Sequence, residues 1–488
     1  MNAKRRHLAP ASVMAVDHIV HLIVQCISSP QDVVAFLRAI PAPLLSAPLT
    51  ALLALLSTSS PTVLGHWPAM ILERVDARCL DLALDALAAL PAIRISSYEA
   101  LERALTGRFP DLAAFTAAWP TKVTHLDHDI DADDVDDVRC FVTHCTHLDY
   151  MCVHVDAFAE LLPFLPSSLR HVLLTGCGDD PFAPPRDDDN DNDDDDDHEN
   201  GGSNLAPSLL QWLENGKNNN KHVSFDAKLG KAEAAAIANV LALTSSMATL
   251  EIDESHQLVQ ALLASTTPRL HVTSFLLHQA SVRNAMLLVT RLHLTSLTRL
   301  EIEAVSDLGW VLPLLASMPH LEELALGYGQ LHEIPDALSE ATPRLRKLAL
   351  SGVDVSDQAF DALFQWTSGL QQLRSAIFRG ISLNRQRFSL QLMTPGQWVV
   401  AAGIDSLSLV SGQTMLAPSR EGHAISGVTV SALVRALSHV INTTLRLAMN
   451  VKAETFKQVA RDAWLDFGVA ILPRDGSEYD LCSPDYCR

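Results

Sequence analysis

Three evenly spaced segments in the middle of the chain limit its fold more than any other feature. Leu297, Leu300 and Ile302 form the first, Leu321, Leu324 and Leu326 the second, and Leu345, Leu348 and Leu350 the third, each reading LxxLxL with copies 24 residues apart. A short strand that buries alternate residues cannot cover its own apolar face, so a unit repeating at this period must stack on its neighbours. The intervening segments read as helices. Leu308, Val311, Leu312 and Leu315 fall at i, i+3, i+4 and i+7, one buried stripe. Phe360, Leu363 and Phe364 repeat the stripe in the next unit, with Ser356 or Asp357 as the cap. Thr267-Pro268-Arg269-Leu270 and Thr342-Pro343-Arg344-Leu345 are the same tetrapeptide, and Met318-Pro319-His320-Leu321 is a close variant. Proline ends a helix and favours extended backbone next to it, so its recurrence marks the return from helix to strand.

The fold class that follows is α/β: a leucine-rich-repeat solenoid, a ribonuclease-inhibitor-like horseshoe, over 121–473. An all-helical domain is expected before it, at 1–120, and a tail after it, at 474–488. Weaker strands are expected at Val123–Leu126, Leu148–Val153, Leu169–Leu174, His222–Phe225, Leu250–Ile252, Leu270–Leu277, Leu370–Phe378, Ile404–Leu409, Leu445–Met449 and Phe467–Ile471. Leu169, Val172, Leu174 and Cys177 read LxxLxLxxC, whose last residue turns into the coil. In the N-terminal segment, Ile19, Leu22, Ile23 and Ile27 follow helical spacing, as do Val33, Val34 and Leu37. Ser29-Pro30-Gln31-Asp32 between them is a stop-and-restart signal, with Ser29 capping the second helix. Further helices are expected near Pro43–Leu56, Trp67–Leu90 and Ser97–Ala118.

The chain of 488 residues carries a net charge of −21. Ten acidic residues lie between Asp187 and Glu199, and without them the net charge is −11. They sit in a stretch from 178 to 204 that also holds Pro181, Pro184, Pro185 and Gly201-Gly202. Such charge density cannot bury a core, so the stretch reads as a disordered acidic insert. The acidic balance argues against nucleic acid and anionic membrane, which need clustered Lys and Arg. The eight cysteines form no CxxC pair, as expected of free thiols in a reducing compartment, and the chain reads as cytoplasmic or nuclear. Asp127 to Asp137 is rich in carboxylates, but Ala132 and Val138 stand where a calcium loop needs Gly and Glu. Cys140, His144, Cys145, His147, Cys152 and His154 fit no zinc-finger spacing. No metal, cofactor or catalytic residue is expected, and no hydrolase, metalloprotease, nucleotide-loop or redox motif occurs.

The repeats, the LxxLxLxxC segment and the stretch from Val13 to Leu56 together resemble the F-box/leucine-rich-repeat proteins, substrate receptors of cullin–RING ubiquitin ligases. Ile19, Leu22, Ile23 and Ile27 match the first apolar helix of an F-box, and Pro30, Asp32, Val33, Val34 and Leu37 match its turn and second helix. Ala15-Val16 stands where the family has Leu-Pro, and Ile40-Pro41-Ala42-Pro43 where it has a Cys-Lys-x-Trp-like ending. The resemblance implies that Ile19, Leu22, Ile23, Pro30, Val33 and Val34 bind a Skp-type adaptor. A helical cap for the solenoid predicts the same apolar pattern. Alternate strand residues point away from the core, which makes Arg299, Glu301, Glu303, Glu323 and Lys347, with Ala325 and Ala349, the expected substrate face. The alternative is a stand-alone repeat scaffold whose acidic loop binds basic proteins.

Overall fold

The computed structural model describes residues 10–58, 67–131, 133–176, 204–215, 220–266, 269–335, 338, 344–370 and 372–383, and strands at 386–394, 397–402, 444–448, 470–473 and 478–482. The expected features at Cys177, at 178–203 and at Ile404–Leu409 lie outside them. The chain divides into two compact units, residues 1–228 and 229–488.

The first unit opens with the helices Pro10–Cys26, Pro30–Ala39 and Ala47–Thr58. Ser29 caps the second, its hydroxyl accepting from the Asp32 backbone N–H at 3.3 Å. Val33 and Leu37 on that helix, and Leu49, Leu52 and Leu55 on the next, have no exposed surface. The second and third helices pack on each other, and Trp67 donates a 2.7 Å hydrogen bond to the Ile27 carbonyl just past the first. Strands then follow: β1 (Ala69–Ile71), β2 (Ala92–Ile95), β3 (Val123–Ile130), β4 (Tyr150–His154), β5 (His171–Thr175) and β6 (Lys221–Asp226). Each pairs in parallel with the next. The N-terminal segment is therefore not all-helical up to residue 120. Leu90, Ile93 and Ile95 already have the LxxLxL spacing and are buried, so they enter the ladder as a strand. The expected helix over Trp67–Leu90 is reduced to Leu80–Asp85 for the same reason.

The second unit carries β7 (Met247–Asp253), β8 (Ser274–His278), β9 (Arg299–Glu303), β10 (Glu323–Gly327), β12 (Lys347–Ser351) and β14 (Ser375–Leu383), with the two-residue strands β11 (Gln330–Leu331) and β13 (Asp354–Val355) between them. β7, β8, β9, β10, β12 and β14 form an unbroken parallel ladder, and Leu300, Leu324 and Leu348 stand level across it. The three copies legible in the sequence are part of a set of six. Met247, Leu250 and Ile252 fill the same positions, as do Val272, Phe275 and Leu277, and Leu373, Ala376 and Phe378, all buried. Burial of each such side chain contributes roughly 1.5–3 kcal/mol. The helices return between strands. Leu308, Val311, Leu312 and Leu315 are buried as one stripe, and Ser356 caps Asp357–Gly369 through a 3.1 Å bond from the Ala359 N–H. After β14 the ladder turns antiparallel into β15 (Gln386–Thr394) and β16 (Gln397–Ala402). The expected tail also holds a strand, Glu478–Cys482, antiparallel to Thr444–Ala448. The unit is an α/β repeat fold.

One backbone feature recurs at the same phase of the repeat. Glu254, Gln279, Ala304, Tyr328, Gly352 and Gly380, just past β7, β8, β9, β10, β12 and within β14, all have positive φ, between 46° and 62°. A left-handed residue there turns the chain so that the next side chain points inward, as Val305, Val353 and Ile381 do. Gly329 fills that inward place in its own repeat, where a Cβ would collide with the Val305 carbonyl oxygen and lie 2.9 Å from Leu308 Cγ.

Two substitutions read this corner. Gly329→Ala is expected to lower stability by about 2–3 kcal/mol, because the obstacle is backbone that cannot rotate away. Ala304→Gly is expected to raise it by about 0.5–1 kcal/mol, by removing the left-handed strain of a β-carbon. Urea midpoints of the two variants against the parent chain check both signs.

Candidate functional site

The parallel register sorts the non-core side chains of the second unit into rows. Ser274, Arg299, Glu323, Lys347 and Ser375 form the first row. Leu276, Glu301, Ala325, Ala349 and Ile377 form the next, and His278, Glu303, Gly327, Ser351 and Arg379 the third. The small residues Ala325, Ala349 and Ser351 coincide on adjacent strands and leave a shallow trough of about 220 Å³. Arg299, Glu301, Glu303 and Glu323 stand on one side of its floor, and Lys347, Ile377 and Arg379 on the other. All five charged residues expected on the substrate face line this one depression.

Most of these charges are already paired. Arg299 Nη2 lies 2.7 Å from Glu301 Oε2, and its Nε lies 3.9 Å from Glu323 Oε2. Lys347 Nζ reaches the same Glu323 oxygen at 3.5 Å. Partly exposed pairs of this kind add little stability, but they fix side-chain positions on the strand face. Glu303 is different, because its ion-pair partner among the described residues is His278, whose Nδ1 is 3.5 Å from Glu303 Oε2. Burial pushes the Glu303 carboxyl above its usual range; the His278 imidazole opposes this, and the Glu301 and Asp253 carboxylates add to it. His278 Nε2 is shielded from solvent and has no hydrogen-bond partner among the described residues. Reading the repeat from Leu270 had hidden this histidine. With Val272 taken as the first core position, His278 falls level with Glu303.

The first unit has a row of its own that the sequence reading passed over. Arg94, His125, Tyr150, His171 and His222 stand level across β2 to β6. The His125 and Tyr150 rings stack at 5.8 Å, Tyr150 meets His171 edge-on at 4.6 Å, and His171 lies flat on His222 at 3.5 Å. Burial, and then Arg94, hold the His125 imidazole below its usual pKa. Nearby, Asp127 pairs with Arg94, and Asp134 accepts from Tyr98. Of the cysteine–histidine cluster, Cys145 and Cys152 are buried thiols pushed up to about 12 by desolvation, and the His144 ring bonds the Cys140 carbonyl at 2.9 Å.

The residues expected to meet an adaptor divide. Ile19, Leu22 and Ile23 are 53%, 47% and 39% exposed on the first helix, while Val20 and Val24 on its other side are buried. Pro30 and Val34 are half-buried. Val33 has no exposed surface, so it supports the second helix from within and cannot be part of a docking face. No helix among the described residues is long and apolar enough to cross a membrane.

No protein-family model and no curated protein matches the chain. Among solved structures, an internalin from Listeria monocytogenes is similar, with 14% identity, 62% of this chain and 78% of that chain covered, and a TM-score of 0.27. The repeat assignment rests on register and burial.

The Glu303 environment predicts a pH-dependent gain from its removal. A carboxyl whose folded pKa is raised stabilises the fold below its unfolded value of 4.5, and that contribution is lost as pH rises through the raised value. In chelator-treated buffer, Glu303→Gln is therefore expected to be more stable than the parent at pH 7. The gain should shrink as pH falls towards 4.5. Denaturation midpoints of both chains across that range test it.

Proposed function

We propose that the chain is a non-enzymatic protein-interaction scaffold acting as an F-box-like substrate receptor of a cullin–RING ubiquitin ligase. In this reading the first helix docks a Skp-type adaptor, and the strand face of the second unit receives the target protein. Ubiquitin transfer belongs to the partners, and no side chain of this chain does chemistry.

One observation supports this reading most: the exposed apolar stripe of Ile19, Leu22 and Ile23 on a helix whose other side is already buried. Three large aliphatic side chains within little more than one helical turn favour helix-to-helix packing, since covering each would contribute roughly 1.5–3 kcal/mol. A helix serving only as a cap would turn these residues inward, as it does Val20 and Val24. The trough offers a second surface of another kind. Its charges of both signs, locked in place by Arg299 and Lys347, suit selection by complementarity more than by area.

The test is a pull-down with purified Skp-type adaptor. The parent chain should bind, and Ile19→Asp/Leu22→Asp/Ile23→Asp should lose binding at least roughly tenfold while keeping its melting temperature, since all three residues are exposed. Arg299→Glu/Lys347→Glu should keep adaptor binding and lose the target. No adaptor binding by the intact chain would sink the receptor reading and leave a stand-alone scaffold.

A further inference from the structure

We infer that His278, Glu301 and Glu303 form a binding site for a single divalent transition-metal ion, Zn²⁺ by preference, on the strand face of the second unit. The site stands on its own geometry, independent of the ubiquitin-ligase reading.

The parallel register builds the donor set. His278 on β8 is level with Glu303 on β9, and Glu301 is the preceding residue on the same face of β9. One donor atom from each of the three lies within 4.8 Å of the others. Atoms sharing a tetrahedral ion at about 2.0–2.2 Å stand about 3.3–3.6 Å apart, so side-chain rotation of roughly an ångström closes the site. The mixture of one imidazole and two carboxylates favours Zn²⁺ over Mg²⁺ or Ca²⁺, which prefer oxygen alone.

The histidine supplies the independent observation. Its Nδ1 faces Glu303 at 3.5 Å and its Nε2 faces Glu251 Oε1 at 3.9 Å. Nε2 is shielded from solvent and, beyond that long contact, has no hydrogen-bond partner among the described residues, a state that buried ring nitrogens rarely hold. A metal on Nδ1 fixes the proton on Nε2, and Glu251 is then the carboxylate that orients the ring, the arrangement usual for metal-bound histidine. The acidic surroundings point the same way. Glu251, Glu301 and Glu303 stand at the imidazole, Asp253 adds negative charge at Glu303, and Arg299 offsets charge at one Glu301 oxygen only. Glu303 also has a reserved space, since any Cβ at Gly327 would come within 3.0 Å of its Cγ and Oε1. Three protein donors leave a fourth position open towards the trough, where a carboxylate or imidazole of a bound protein could complete the shell.

The test uses the full chain, stripped with a chelator and then titrated with Zn²⁺ against a chromophoric competitor. His278→Asn and Glu303→Gln are run in parallel. The other cysteines and histidines, and the acidic run at 187–199, stay in all three proteins, so their binding cancels. The parent should retain one equivalent of Zn²⁺ more than either variant. Zn²⁺ should raise the melting temperature of the parent and not of the variants. Circular-dichroism spectra of the three metal-free proteins, recorded alongside, separate loss of metal binding from loss of fold. Equal stoichiometry and equal thermal response in all three proteins would overturn the site.

Discussion

The repeat ladder of the second unit, from β7 to β14, depends on strands pairing in parallel at one fixed register. When Leu300, Leu324 and Leu348 stand level, their inward neighbours stand level too, and the core becomes continuous from strand to strand. A slip of one residue would turn Leu300 and Ile302 outward and carry Arg299, Glu301 and Glu303 into the core, at a cost far beyond what any turn could offset. In the second unit, the left-handed residue at the end of the core segment of each parallel strand protects that register. It forces a turn at the same phase from β7 to β14, whether the residue is Gly352 or a strained Ala304. Backbone geometry is thus the conserved element of the repeat, and side-chain identity is free to drift around it.

This drift explains what could be seen in the sequence. The copies at Leu297, Leu321 and Leu345 are legible because every inward position is Leu or Ile. Met247, Val272 and Leu373 start equivalent copies, but Phe275, Ala376 and Phe378 replace the leucines that would reveal them. Leu90, Ile93 and Ile95 keep the spacing, yet they follow a helix-rich stretch and precede any neighbour of clear pattern. The substrate-face residues were legible wherever the phase was known, since outward positions follow by alternation from the core. His278 was lost with its phase. The adaptor stripe was legible as a helix but not as a surface, because helical spacing alone cannot tell which of two apolar sides is covered. Val20 and Val24 took the inside, and Ile19, Leu22 and Ile23 were left outside.

The two units use the same scaffold for different surfaces. In the first, imidazole and phenol rings stack along one row from His125 to His222. In the second, the corresponding face carries fixed ion pairs at Arg299, Glu323 and Lys347, and at Glu303 a carboxylate that faces a histidine instead. Paired charges hold their geometry at little net gain. The cluster around His278 departs from that logic, since it keeps burial and like charge together with no lysine or arginine paired to Glu303 among the described residues. Structural ladders avoid such arrangements, and sites that exchange a ligand often contain them.

The floor of the trough, finally, is defined by what its side chains lack. Ala325, Ala349 and Ser351 add almost no bulk above the strands, so the shape of the depression is set by missing atoms. Recognition encoded in this way can be rewritten in small steps. Enlarging any one of these positions by a methyl group reshapes the floor without touching the inward leucines that carry stability. Specificity and folding are therefore separable in this chain, and a lineage could explore new partners at the floor while its stacked core stays unchanged.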